Sequence, residues 1–139
     1  MKLFTAICAA IFILTASCVS TKETAMQKKS LYGIKWSLKK IHSDSGVEDV
    51  QTKAFIKFDE AKQSAGGNGS CNSFGGNSTI TRNEISIKNI FSTKMYCEDV
   101  QRTEDIFLKQ LEKVNRYEIA GTSLSLYQGE KILLEFASE

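Results

Sequence analysis

Proline is absent from this chain of 139 residues, histidine and tryptophan occur once each, and charge is nearly balanced at 18 basic against 16 acidic residues. Without proline, the turns fall to glycine, asparagine and serine, and all nine glycines lie beyond residue 32. The near-neutral balance argues against a dedicated nucleic-acid binder, which carries a clear basic excess. A serine–histidine–carboxylate site has only His42 to use, and no nucleophile-elbow pattern accompanies it. A structural zinc site takes about four nitrogen or sulfur ligands, whereas the chain beyond residue 18 offers Cys71, Cys97 and His42. No metal, no cofactor and no catalytic residue is therefore expected. His42, beside Ser43 and Asp44, reads as a solvated turn residue after a strand.

Long hydrophobic runs are also missing, apart from one at the start. Residues 1–18 read MKLFTAICAAIFILTASC, with Lys2, an apolar stretch from Leu3 to Leu14, and small Ala16 and Ser17 before Cys18. This is the three-part layout of a secretory signal. As a helix, Leu3 to Val19 reaches about 25 Å, short of a hydrocarbon core of about 30 Å, so a permanent span is the weaker reading. Thr15-Ala16-Ser17-Cys18 resembles the lipobox cut by lipoprotein signal peptidase, with Thr15 standing where leucine is usual. The resemblance implies loss of residues 1–17 as a signal peptide and diacylglycerol on the Cys18 sulfur. Two or three acyl chains hold a protein on a membrane where one binds only reversibly. Val19, in place of aspartate, resembles the pattern of outer-membrane sorting, so the expected address is the cell envelope, at the outer membrane facing the periplasm. Residues 18–30 read as lipidated N-terminus and polar tether, and residues 31–139 as one domain.

From Leu31 onward apolar residues alternate as they do in strands. Ile34, Trp36 and Leu38 share one face, as do Ala54, Ile56 and Phe58, and then Ile85 and Ile87, before the phase shifts at Ile90 and Phe91. Such a shift marks a bulge or a strand end. Tyr117 with Ile119, Leu124 with Leu126, and Ile132, Leu134 and Phe136 follow, separated by Gly121-Thr122 and Gln128-Gly129, which reads as a meander of hairpins.

One segment differs. Between about Glu98 and Asn115, the residues Val100, Phe107, Leu108, Leu111 and Val114 recur mostly at helical spacing, and Arg102, Asp105, Lys109, Glu112 and Lys113 fill the other face. Asp99 is the expected N-cap, among acids that suit the positive end of the helix dipole. The fold class is therefore α+β, an antiparallel β-sheet or half-barrel of about six to eight strands covered by one α-helix.

The run GNGSCNSFGGN at 67–77, STKMYC ending at Cys97, Glu104 with FLKQL, then LSLY and ILLEF, together with Trp36, resembles the META domain of HslJ-like heat-shock lipoproteins. The resemblance covers about residues 31–139. Ser70 departs from it, since the family usually has glycine directly before this cysteine. The resemblance implies a small β-rich domain with one helix, commonly exported and lipid-anchored, with stress-linked or envelope-linked roles and no agreed ligand or catalytic activity. It also suggests Glu104 as a buried partner for loop backbone amides.

With Cys8 lost in the signal and Cys18 lipidated, Cys71 and Cys97 remain as a pair, which an oxidising compartment would join as a disulfide; two free buried thiols are the alternative. The stretch SAGGNGSCNSFGGN lacks the lysine and following helix of a phosphate loop. It reads as a loop in which Gly66, Gly67, Gly69, Gly75 and Gly76 permit positive φ and close approach between strands. Asn72, Ser73 and Phe74 are its weak candidates for a ligand groove. Met95 and Tyr96 read as core. The expected function is a non-catalytic, lipid-anchored envelope domain that contacts another envelope protein or a cell-wall component. A second class is a carrier of a small hydrophobic molecule in a partly open barrel, its apolar pocket near Trp36, Phe55 and Phe74. Oligomeric state is not legible.

Overall fold

A computed structural model describes residues 30–139; Cys18 and the segments 1–17 and 18–29 lie outside the described residues. Nine strands and one helix follow in the order β1 Trp36–Ser43, β2 Gly46–Asp49, β3 Phe55–Asp59, β4 Ser64–Asn68, β5 Ser73–Thr81, β6 Glu84–Ser92, α1 Gln101–Leu111, β7 Arg116–Ala120, β8 Ser123–Gln128 and β9 Lys131–Ser138. All pairings are antiparallel, in the order β2-β1-β3-β4-β5-β6-β7-β8-β9, and β1 also pairs with β9 so that the sheet returns on itself as a ring. The α+β reading holds.

Nine strands exceed the expected six to eight, for a reason visible in their composition. Strand β4, SAGGN, and the first half of β5, SFGGN, carry almost no apolar alternation, and β2, GVED, is a short polar hairpin arm. The glycine-rich run expected as a loop is thus two strands joined at residues 69–72. Its glycines supply close approach only. None of the five takes positive φ, which falls within the run at Ser70 and, among the glycines, at Gly33, Gly46, Gly121 and Gly129. Gly121 and Gly129 lie in the two-residue turns of the β7–β8 and β8–β9 hairpins, where left-handed backbone matches strand twist.

The alternating residues meet inside the ring. Trp36, Leu38, Ile56, Ile87, Leu124, Leu126, Leu134 and Phe136 are all buried. Two bulges adjust which residues point inward. Around Lys39 the β1–β9 register slips, so Leu38 and Ile41 are both buried. At Leu133 the β8–β9 register slips, burying Leu133 beside Leu134. The phase shift read at Ile90 is a third bulge, in β6 opposite Gly75 to Asn77, with Asn89 at φ 55°.

The ring is weakest between β6 and β7, which share the single strand pair Glu84↔Arg116. The chain between these strands forms α1. Its Phe107 is fully buried, edge-on to Phe74 at 5.6 Å and tilted against Phe136 at 6.0 Å, so the helix closes the core. Its charged face, Arg102, Asp105, Lys109 and Glu112, is exposed as expected. The helix is shorter than its pattern and begins after Val100, with no side-chain cap; Asp99 does not cap it. Arg102 instead fastens it to β2 through both carboxylate oxygens of Glu48, whose carboxyl is held below its ordinary value by that hydrogen bond. His42 lies in β1 rather than a turn, paired with Val47 and bonded to Glu135 at 2.6 Å.

Candidate functional site

Around the β4–β5 connection the structure brings together two buried polar side chains, Asn72 and Glu104. Glu104, in the first turn of α1, is 2% exposed, and its Oε2 accepts from the backbone N–H groups of Cys71 at 2.9 Å and Asn72 at 2.7 Å. Its Oε1 accepts from Asn72 Nδ2 at 2.6 Å. The carboxylate therefore acts as the missing strand partner for a turn that enters the protein interior, the role its position suggested. Gly69 makes room for it: a Cβ there would lie 2.6 Å from Glu104 Oε2.

Asn72 passes this order on to the next segment. Its Nδ2 also donates to Met95 O at 2.9 Å, and its Oδ1 accepts from Met95 N and Thr93 Oγ1, both at 2.8 Å. The Cys71–Cys97 disulfide ties down the same segment. Residues 93–97 are thus held by their backbone, by the Thr93 hydroxyl and by one sulfur, and the side chains of Lys94, Met95 and Tyr96 are left outside. Met95 is 61% and Tyr96 76% exposed, which overturns their reading as core. The preference for burying apolar residues is overridden because the bonds to Asn72 fix which way the backbone faces.

The ligand candidates do not converge. Asn72 is buried with its side-chain amide fully engaged, Ser73 is exposed at the start of β5, and Phe74 packs in the core. Trp36 and Phe74 point inward, whereas Phe55, opposite Ser37, is half-buried on the outer face with Lys35 Nζ 5.1 Å and Lys57 Nζ 6.0 Å from its ring centre. These three aromatics line no common pocket. Trp36 is wholly buried and donates Nε1–H to Leu31 O at 3.0 Å.

Beside the polar centre lies an open cleft of about 890 Å³ between the end of β6 with its continuation and α1. Ile90, Phe91, Met95, Tyr96 and Leu108 supply its apolar lining, and Phe91 is 71% exposed, its ring lying over Gly75. Three large apolar side chains exposed around one depression are the surface feature that sequence periodicity missed. The one available signal was the phase shift at Ile90 and Phe91, which marks where β6 stops facing the core.

The sequence profile of the META domain matches residues 29–139. The chain belongs to the META domain family. Two solved structures share the fold: an NMR structure of a protein from Burkholderia xenovorans, with a TM-score of 0.66 and 17% identity over 78% of this chain and 83% of that one; and a second NMR structure, with a TM-score of 0.58 and 18% identity over 77% and 91% of the two chains. No curated protein matches the chain. At these identities the likeness concerns fold alone.

The META domain's usual glycine before the cysteine now has a physical account. Ser70 stands at φ 112°, a conformation that side chains rarely adopt, between an N–H bound to Asn68 Oδ1 at 2.9 Å and a hydroxyl bound to Thr52 Oγ1 at 2.7 Å. Strain of this kind costs about 1–3 kcal/mol, while the half-exposed hydroxyl bond returns about 1 kcal/mol. Ser70→Gly is expected to raise stability by about 1 kcal/mol, read as a melting temperature higher by roughly 4 to 6 °C. Ser70→Ala keeps the strain and loses the bond, so its melting temperature should fall below that of the natural protein. A Gly variant no more stable than the Ala variant would refute the strain.

Proposed function

We propose that this META domain is a non-catalytic, lipid-anchored module of the cell envelope, attached through Cys18 at the outer membrane, facing the periplasm, and contacting another envelope protein through the cleft beside α1. The exposure of Phe91, Met95 and Tyr96 around one open depression carries this reading, because large apolar side chains grouped at the surface mark interaction sites. Aromatic residues and methionine are also the types enriched where proteins meet. The non-catalytic part is supported by how Glu104 and Asn72 are used. These two buried polar side chains of the cleft are committed to holding backbone and each other, so they are not free to move protons on a substrate.

The reading is tested in intact cells with a photo-crosslinking residue at Tyr96, and with a control at Glu130 in the β8–β9 turn. A discrete protein adduct is expected from position 96 and none from 130. Cys18→Ala should abolish acyl labelling and, by removing the chain from the membrane, the adduct with it. Labelling that survives Cys18→Ala sinks the anchor; adducts equal at both positions, or absent at 96, sink the contact surface.

A further inference from the structure

The same cleft contains an unpaired strand edge. Strand β6 is bonded to β5 along its length, but its other edge meets β7 only at Glu84, and among the described residues no other strand lies there. Backbone direction alternates along a strand, so the bonds already made identify which groups face the cleft. Thr93 N–H donates to Ser73 O, and both Met95 N–H and Met95 O bond the Asn72 side chain, so residues 93 and 95 are turned toward β5 and the turn before it. Ser92 and Lys94, which alternate with them, therefore present their N–H and C=O groups to the opposite side, where the cleft opens.

We infer that the cleft binds an extended segment of a partner protein as an added strand on this edge. An edge with free backbone groups is a template for pairing, and strand addition draws affinity from main-chain bonds and specificity from pockets for alternate side chains. Here Phe91, Met95, Tyr96 and Leu108 supply the apolar contacts. The charged lining sets the partner's character: on the α1 side the exposed Asp105 and Glu112 outnumber Lys109, and Lys94 stands on the strand side. The segment is thus one whose apolar residues alternate with polar ones and that carries lysine or arginine toward α1. The β6 bulge at Asn89 limits the site to the edge beyond it, Ile90 to Ser92 of β6 and its continuation to Lys94, a length of about five residues, ordinary for a strand. This inference rests on the contact reading proposed above and specifies how the contact is made.

The test uses the full-length protein, processed by its host and held in detergent micelles, against a displayed pool of random peptides of about ten residues, enough to span a strand. Enriched peptides should alternate apolar and polar residues and include basic ones. The best of them should slow hydrogen exchange at the amides of Ser92 and Lys94 by about tenfold or more. N-methylation of its edge-facing amides, and Asp105→Lys with Glu112→Lys in the protein, should each weaken binding by about tenfold. An unenriched pool overturns the inference, as does binding that ignores N-methylation or leaves the Ser92 and Lys94 amides unprotected. If crosslinking through Tyr96 persists in any of those cases, the contact reading stands and only strand addition falls.

Discussion

Glu104→Ala is expected to lower the unfolding free energy by about 4 kcal/mol, with Glu104→Gln losing about half as much. The carboxylate accepts three bonds inside the protein, two from backbone N–H groups and one from Asn72. Alanine leaves all three donors buried and unpaired, and an unsatisfied buried donor costs about 1–3 kcal/mol. Glutamine keeps one acceptor oxygen for the Cys71 and Asn72 amides but turns an NH₂ group toward Asn72 Nδ2, where two donors then face each other. The order Ala, Gln, natural protein in rising urea midpoint therefore separates loss of hydrogen bonding from loss of packing, since Gln fills the same volume. Equal midpoints for Gln and Ala would mean that charge alone matters there. An unfolding free energy for Ala within about 1 kcal/mol of the natural protein's would deny Glu104 its structural role.

The same polar centre marks where the sequence stops being legible. Core positions such as Trp36, Ile56, Leu124 and Phe136 follow from period-two alternation, because burial on one face of a strand leaves that trace in residue type. Helix α1 is legible for the same reason. The strands β4 and β5 are not, because the tight packing around them selects for the absence of side chains: a Cβ on Gly66 would lie 2.9 Å from Phe74 O, and one on Gly76 2.9 Å from Lys88 O. A pattern built on apolar side chains cannot register strands whose requirement is to have none. Gly75 is a milder case, where the ring of Phe91 occupies the space a Cβ would take.

The cleft was hidden for a different reason. Met95 and Tyr96 are apolar and flank a cysteine, which favours burial when residue type is the only guide. Their exposure is decided by the side chain of Asn72, more than twenty positions earlier, which bonds both backbone groups of Met95. Nothing local to residues 93–97 carries that information. The suggestion that Glu104 bonds loop amides came from its place in a family pattern and not from periodicity, and with the Cys71–Cys97 pair it is one of two long-range contacts of this centre foreseen by residue number. A segment whose conformation is set by distant polar groups, with its apolar side chains outside, is also suited to presenting a surface, because presenting it requires no rearrangement of the core.

Removal of the Cys71–Cys97 bond is expected to have the second large effect. The bond closes a loop with a sequence separation of 26 residues, for which the chain-entropy relation gives about 3.5 kcal/mol of stabilisation through the unfolded state. At roughly 4 to 6 °C for each 1 kcal/mol in a domain of this size, a fall in melting temperature above about 10 °C is expected on reduction. The measured loss should be smaller than the full entropic value if the reduced sulfurs still pack, Cys71 being only 9% exposed. Cys71→Ala with Cys97→Ala together should lose at least as much as reduction does, since it also removes those contacts. The structure adds a local expectation. Glu104 of the helix and Asn72 still hold the turn at Cys71 when the bond is cut, so reduction should first loosen residues 93–100, detected as faster hydrogen exchange there than in β8 and β9. Thiol labelling of the denatured, unreduced protein should find neither Cys71 nor Cys97 free. Stoichiometric labelling of both in protein taken from its own compartment, or a melting temperature unmoved by reduction, would show that the fold is held without the bond, with Glu104 and Asn72 sufficient to fix the loop.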